Sequence, residues 1–163
     1  MTMNRPTTRT RRITQVVAVA LLLYCFSLSA LAAEPFEQVQ HFFSAISKQD
    51  VPALRSLVTP DFQLLEVGEI WTMEKLVDEI QGDYTRRNYF ALIRQEISGE
   101  NAWVSYWNRA LIMATDSQRD VVWLESAVLR KVDSEWLIEL LHSTRLDPDQ
   151  WPADVEFKEF VNQ

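Results

Sequence analysis

The sequence has little cysteine and little glycine, and each shortage excludes a class of protein. Cys25 is the single cysteine among 163 residues, and only three glycines are present. A disulfide framework is therefore excluded, and a glycine-rich phosphate-binding loop is not expected. The sequence also lacks a His-x-x-x-His pair and a Gly-x-Ser-x-Gly motif. It consequently predicts no metal site, no cofactor and no serine nucleophile.

The N-terminus has the three parts of an export signal. Four arginines precede a continuous apolar run at residues 16–26, and Ala30-Leu31-Ala32 then matches the small-x-small cleavage pattern. This order predicts a secretory signal peptide over residues 1–32 and a periplasmic or secreted protein. An uncleaved membrane anchor is the alternative, but the apolar run is short for a membrane span.

Negative charge dominates the rest of the chain. All 23 acidic residues follow Ala33, whereas four of the 16 basic residues precede it. Cleavage would leave 12 basic and 23 acidic residues, a net charge of −11. Phosphate backbones and anionic headgroups repel such a domain, so we expect no nucleic-acid partner and no membrane binding after cleavage.

Apolar periodicity predicts helices before a series of strands. Residues 34–48 have helical spacing, and Asp50 and Thr72 can cap two shorter helices. Alternation at period two predicts five strands, at residues 62–67, 89–98, 102–115, 121–132 and 135–145. We place turns at Gly99-Glu100-Asn101 and Asp116-Ser117-Gln118. This order predicts an α+β domain at residues 34–146, with helices packed on one face of a curved sheet. A tail follows at residues 147–163, in which Pro152 could start a short helix.

Several segments resemble one known family. They are Ala102-Trp103-Val104-Ser105-Tyr106, the run from Val128 to Asp133, Trp136-x-Ile138, and His142-Ser143-Thr144-Arg145. In this order they resemble the SnoaL-like branch of the nuclear transport factor 2-like superfamily, from about Phe36 to Leu146. A glycine is common in the last hairpin turn of that family, and here the residue is Ser134.

The resemblance implies a cone-shaped α+β barrel, whose bent sheet wraps a long helix and leaves an apolar pocket. The superfamily includes ketosteroid isomerases, polyketide cyclases, dehydratases, and members that only bind ligands or assemble complexes. The fold therefore does not decide the function.

Strand parity indicates which polar side chains could reach such a pocket. If Phe62, Ala102 and Trp136 point inward, the same parity turns a further set inward, namely Glu66, Tyr106, Asn108 and His142. A carboxylate in an apolar pocket has a raised pKa, so Glu66 could be a general base, with Tyr106 or His142 donating to a developing oxyanion. Tyr106, Asn108 and Ser126 are the predicted ligand-binding residues. Alternatively, these groups satisfy one another inside a core.

The opposite parity places aromatic residues on the outer face of the sheet. Trp103, Trp107 and Leu111 share this parity, and we assign Trp123 and Leu141 to the same face. An aromatic patch of this size is seldom left in water, so it predicts a homodimer through the outer sheet face. The alternative is reversed parity, in which a bulge turns the tryptophans into the cone.

Three functions are compatible with these features. The first is a domain that binds a small apolar or amphiphilic molecule without chemistry. The second is a cofactor-free isomerase, cyclase or dehydratase that uses Glu66 and His142. The third is a protein-interaction module that uses the acidic surface and the tail from Trp151 to Gln163.

Overall fold

The computed structural model describes residues 33–161. The predicted signal peptide at residues 1–32 lies outside these residues. Within them, no helix is both long and apolar enough to cross a membrane.

Three helices form at the positions that the periodicity predicts. They are α1 (Pro35–Lys48), α2 (Val51–Ser56) and α3 (Met73–Glu79). Asp50 caps α2 by accepting from the Ala53 N–H, and Thr72 caps α3 by accepting from the Lys75 N–H. Gln49 ends α1 in the left-handed region, where its N–H bonds to carbonyls of the last turn.

The strands form one seven-stranded sheet with the order β2-β1-β6-β5-β4-β3-β7. Every neighbouring pair is antiparallel except β1 and β6, which are parallel. The predicted α+β class is confirmed. The strands are β1 (Val58–Glu66), β2 (Glu69–Trp71), β3 (Tyr84–Ser98), β4 (Asn101–Ala114), β5 (Ser117–Val132), β6 (Glu135–Arg145) and β7 (Lys158–Glu159).

The tail adds a strand to the sheet instead of a helix. A 3-10 turn at Pro148–Gln150 precedes β7, which pairs with the outer edge of β3. The Phe160 N–H also donates to the Asn88 carbonyl at 3.0 Å. The helix predicted from Pro152 is therefore wrong, because the unpaired edge of β3 offers the tail backbone hydrogen bonds that a short exposed helix lacks.

The core lies between α1 and the concave face of the sheet. The apolar side of α1, including Val39, Phe42 and Ile46, is buried. Phe36, Phe43, Phe90 and Tyr106 form an aromatic cluster with ring centroids 5.6–6.4 Å apart. These contacts pack α1 against the concave face of the sheet, and a cavity remains at one end of the cone.

The β4–β5 hairpin decides which residues of β5 face inward. Ala114 pairs with Ser117, so the turn has two residues rather than the three predicted at Asp116-Ser117-Gln118. Trp107 consequently lies opposite Leu124, and Trp103 lies opposite Val128. The prediction that Trp123 shares the outer face is wrong, because a turn shorter by one residue reverses the parity of the following strand.

A bulge in β6 reverses parity a second time. Val128 pairs with Leu140 and Leu129 pairs with Ile138, which leaves Glu139 as an extra residue. Ile138, Leu141 and Ser143 are buried, whereas His142 is exposed. The predictions that His142 faces inward and Leu141 outward are therefore wrong.

Candidate functional site

A cavity of about 390 Å³ opens at the end of the cone, between α1, α3 and the sheet. Its volume falls in the range of about 300–1,000 Å³ that is usual for small-molecule pockets. Most of its wall is apolar, formed by Phe42, Leu64, Leu76, Ile80 and Leu141 among others. Acidic and basic side chains occupy the remainder.

A row of polar side chains crosses the concave face beside this cavity. Glu66 of β1 pairs with Ser143 of β6, Ser143 with Glu125 of β5, and Glu125 with Tyr106 of β4. Directly paired residues place their side chains on the same face of a sheet. The register of four strands therefore assembles this row.

Glu125 is the centre of the row. It is 4% exposed, and it accepts from the Ser143 hydroxyl at 2.9 Å and from the Asn108 amide at 3.1 Å. Burial raises the pKa of Glu125 to about 7, although Ser143, Asn108, Tyr106 and the charge of Arg86 act against it. A carboxyl group with this pKa can both take up and release a proton near neutral pH.

Tyr106 and Asn108 both lie against Glu125 and are fully buried. Burial raises the pKa of Tyr106 well above its ordinary value, so this residue remains a neutral phenol. Its hydroxyl is close enough to lower the pKa of Glu125, but it forms no hydrogen bond of acceptable geometry within residues 33–161. Tyr106 therefore lies beside Glu125, and neither it nor Asn108 is among the residues that line the cavity.

Glu66 lines the cavity, as its parity predicts. Burial raises its pKa, and the nearby Ser143 and Trp123 side chains and the charges of Arg145 and Arg86 partly offset this effect. The following residue, Val67, has a left-handed backbone with φ of 49° at the rim of the cavity. A catalytic role for Glu66 stays a prediction.

His142 and Ser126 lie away from this group. They pair with each other across β5 and β6 on the outer face, and His142 is exposed. Of the predicted site residues, Glu66 lines the cavity, Tyr106 and Asn108 are buried beside Glu125 on the same face of the sheet, and His142 and Ser126 lie on the other side of the sheet.

Arg86 is a site residue that was not predicted, because the strand expected at residues 89–98 in fact begins at Tyr84. Tyr84, Arg86, Asn88 and Phe90 in fact alternate along the start of β3. This period of two was the signal available in the sequence. Glu125 and Trp123 were missed for a different reason, the length of the β4–β5 turn.

The guanidinium group of Arg86 is held on three sides. Its Nε donates to Asn88 Oδ1 at 2.8 Å, and its central carbon lies 5.5 Å from the Phe43 ring and 5.6 Å from the Trp123 ring. Burial lowers the pKa of Arg86, and the charges of Glu125, Tyr84 and Glu66 act against this. Arginine nevertheless remains charged in proteins, so a fixed cation lies in the wall.

Solved structures of known proteins share this arrangement of helices and sheet. A ketosteroid isomerase-like protein from Erwinia carotovora atroseptica superposes with a TM-score of 0.59 at 15% identity, over 74% of this chain and all of that chain. An NTF2-like protein from Cytophaga hutchinsonii superposes with a TM-score of 0.57 at 19% identity, over 68% and 94% of the two chains. The chain has the nuclear transport factor 2-like fold. The expected fold is therefore confirmed.

The same nuclear transport factor 2-like fold also occurs in a hub homology domain. The CamKII hub homology domain of Chlamydomonas reinhardtii superposes with a TM-score of 0.63 at 19% identity, over 71% of this chain and 98% of that chain. A scan of protein-family models and a search of curated proteins found no match to this sequence. At these identities the likeness shows the fold alone, so the function is argued from the site.

Proposed function

We propose that this chain is an exported domain that binds a small, largely apolar molecule in the cavity of the cone. The cavity itself carries the proposal: an apolar wall with a few convergent polar groups on one side is typical of ligand sites. Phe42, Leu64 and Leu141 would contact the apolar body. The row that contains Glu66 and Glu125 would orient its polar end.

Blocking the cavity tests this proposal. Ile112 lines the cavity, whereas the adjacent Leu111 points to the opposite face. Native mass spectrometry of wild-type protein purified from the periplasm should show a bound small mass, which Ile112→Trp should remove and Leu111→Trp should retain. A neutral naphthalene dye, titrated in parallel, should likewise bind to wild-type protein and to Leu111→Trp but not to Ile112→Trp. Equal binding by both variants would contradict a ligand in this cavity.

Export is a separate part of the proposal and rests on the N-terminal sequence. Expression of the full chain in a Gram-negative host should yield periplasmic protein whose intact mass corresponds to a start at Ala33. Full-length protein in the membrane fraction would instead support the anchor.

A cofactor-free enzyme that transfers a proton is the second candidate. The buried Glu125 carboxyl, with a pKa raised to about 7 by burial, beside the neutral Tyr106 hydroxyl favours it. Glu125, or Glu66 as the sequence suggests, would be the base, and the Tyr106 hydroxyl beside Glu125 would limit the rise of its pKa. The isomerase-like neighbour in Erwinia carotovora atroseptica agrees with this candidate.

Exchange of substrate protons with solvent deuterium, followed by NMR over a panel of cyclic ketones, tests the enzyme. Glu125→Gln or Glu66→Gln should abolish exchange and leave dye binding unchanged, because a base acts only in the chemical step. Loss of binding together with exchange would contradict this role.

Self-association through the outer face is a third proposal. Trp103 and Leu124 are 38% and 39% exposed, and with Trp107 and Val128 they form an apolar patch, which we call the outer patch. Trp123 is not part of it. Hydrophobic surface rich in tryptophan is typical of interfaces. The CamKII hub homology domain is a neighbour with the same fold.

A further inference from the structure

The arginines of the domain divide into two groups. Residues 33–161 contain eight arginines, and five of them have an acidic partner within 4.0 Å. The other three, Arg86, Arg119 and Arg145, have no such partner in this part of the chain. All three line the same cavity. The unpaired arginines are therefore gathered at one place rather than scattered over the surface.

The register of the sheet explains how they meet. Arg86 of β3 pairs with Ile112 of β4, and Ile112 pairs with Arg119 of β5. These two arginines thus share one inward row. Arg145 of β6 pairs with Trp123, whose ring lies 5.6 Å from the Arg86 guanidinium carbon. Three strands supply the three cations.

The guanidinium group of Arg86 is already held in position to bind a ligand. Its Nε is bound by Asn88, and two aromatic faces hold the plane of the group. Asn88 is itself fixed to α1, because its amide donates to Phe43 O at 3.1 Å and Ser47 Oγ at 2.6 Å. The terminal nitrogens of Arg86 have no hydrogen-bond acceptor among the described residues, so a pre-positioned donor edge remains free.

An anion would satisfy this edge better than any neutral group. The charges of Glu125 and Glu66 act on Arg86 without a hydrogen bond to its terminal nitrogens, whereas a planar carboxylate can accept two parallel hydrogen bonds from one guanidinium group. Glu66, Glu125 and the Lys75-paired Glu79 also line the cavity, and their charge would disfavour a phosphate dianion more than a carboxylate. The apolar remainder of the cavity suits a hydrocarbon or aromatic body.

We propose that the cavity takes a small amphiphilic carboxylate, whose head binds the free edge of Arg86 while Arg119 and Arg145 lie at its sides. This inference rests on the proposed ligand-binding function and names the chemical class of the ligand. The carboxylate oxygens accept from the terminal nitrogens of Arg86. The apolar body extends toward Phe42 and Leu141.

Calorimetric titration with matched pairs of probes tests the inference. The probes are unbranched and phenyl-substituted alkanoates of increasing length, each with its neutral primary amide and its alkyl phosphate. Wild-type protein should bind the best carboxylate roughly tenfold or more tightly than its amide, as expected for a buried charge-assisted pair. Arg86→Gln should remove this preference, and Arg86→Lys should keep only part of it.

Arg87→Gln is the matched control, because Arg87 is the adjacent residue and pairs on the surface with Glu159 at 2.6 Å. It should leave the preference unchanged. If Arg86 variants do not fold, Arg119→Gln and Arg145→Gln should each lower it.

The outcomes separate the two proposals. Equal binding of acid and amide by wild-type protein would overturn the carboxylate and leave a ligand-binding cavity standing. Tighter binding of the phosphate would also overturn the carboxylate. Binding of no probe at any length would count against both proposals.

Discussion

The Ser143 hydroxyl donates to the Glu125 carboxylate over 2.9 Å, at the centre of the concave face of the sheet. This contact depends on the bulge at Glu139, because without the extra residue His142 would occupy the inward position. The bulge thus exchanges a titratable imidazole for a small hydroxyl donor. As a result, the carboxyl groups of Glu125 and Glu66 share the site with a neutral neighbour.

Burial of Glu125 should make the stability of the domain depend on pH. The pKa of Glu125 is about 7 in the folded protein, against an ordinary value of 4.5. Between these values the folded state binds more protons than the unfolded state, so the free energy of unfolding falls as pH rises and stays lower above 7. Burial also raises the pKa of Glu66 and acts in the same direction.

Urea unfolding at several pH values checks this prediction. Wild-type protein should lose on the order of 1–3 kcal/mol between about pH 5 and pH 8, and Glu125→Gln should lose clearly less. Glu100→Gln, at an exposed hairpin turn, should behave like wild type. Parallel curves for wild type and Glu125→Gln would show that Glu125 does not titrate in this range.

Asn88→Ala should destabilise the domain strongly. The side chain is 4% exposed, and it joins α1 to Arg86 through hydrogen bonds to Phe43 O, Ser47 Oγ and Arg86 Nε. Its removal leaves the buried Arg86 Nε without its acceptor and takes one of two side-chain donors from the Phe43 carbonyl, which keeps Ser47 Oγ, at a cost of about 2–3 kcal/mol. Chemical denaturation measures this cost. Asn101→Ala at an exposed position is the control, and a similar small loss for both variants would be evidence against the bridge.

Ser134→Gly should stabilise the β5–β6 hairpin. Asp133 and Ser134 have φ values of 49° and 74°, and two positive values are the requirement of a type I′ turn. Glycine adopts this conformation without a Cβ clash, so we expect a gain of about 0.5–1 kcal/mol and a rise of a few degrees in Tm. Differential scanning calorimetry measures it. Ser134→Ala keeps the Cβ atom and should not show the gain; a lower Tm for the glycine variant would contradict the argument.

Leu124→Lys should dissociate the proposed homodimer. Leu124 lies opposite Trp107 in the outer patch, and a buried lysine without a partner opposes association. Light scattering after gel filtration should give twice the monomer mass for wild type and the monomer mass for the variant, with dye binding unchanged. Val161→Lys replaces another exposed apolar residue, in the tail, and should remain dimeric. A monomer mass for the wild-type protein would contradict the proposed homodimer.

The order and type of most elements could be predicted because they depend on local pattern. Helical spacing of Val39, Phe43 and Ile46 places α1 on the core, and the Asp50 and Thr72 caps mark the next two helices. Alternation in β4 also separates buried Tyr106 from Trp107 correctly. These features follow from backbone geometry within one segment.

The composition of the site depended instead on how the segments pair. Alternation shows which residues of a strand share a face, but the neighbouring strands and turns determine which face is buried. A turn shorter by one residue brought Glu125 and Trp123 into the cone, and one extra residue at Glu139 turned His142 out of it. Both effects depend on how separate strands pair, which the residue pattern within either strand does not determine. The sequence could therefore supply the fold and Glu66, Tyr106 and Asn108, while the register of the folded sheet joined them to Glu125, Ser143 and Arg86.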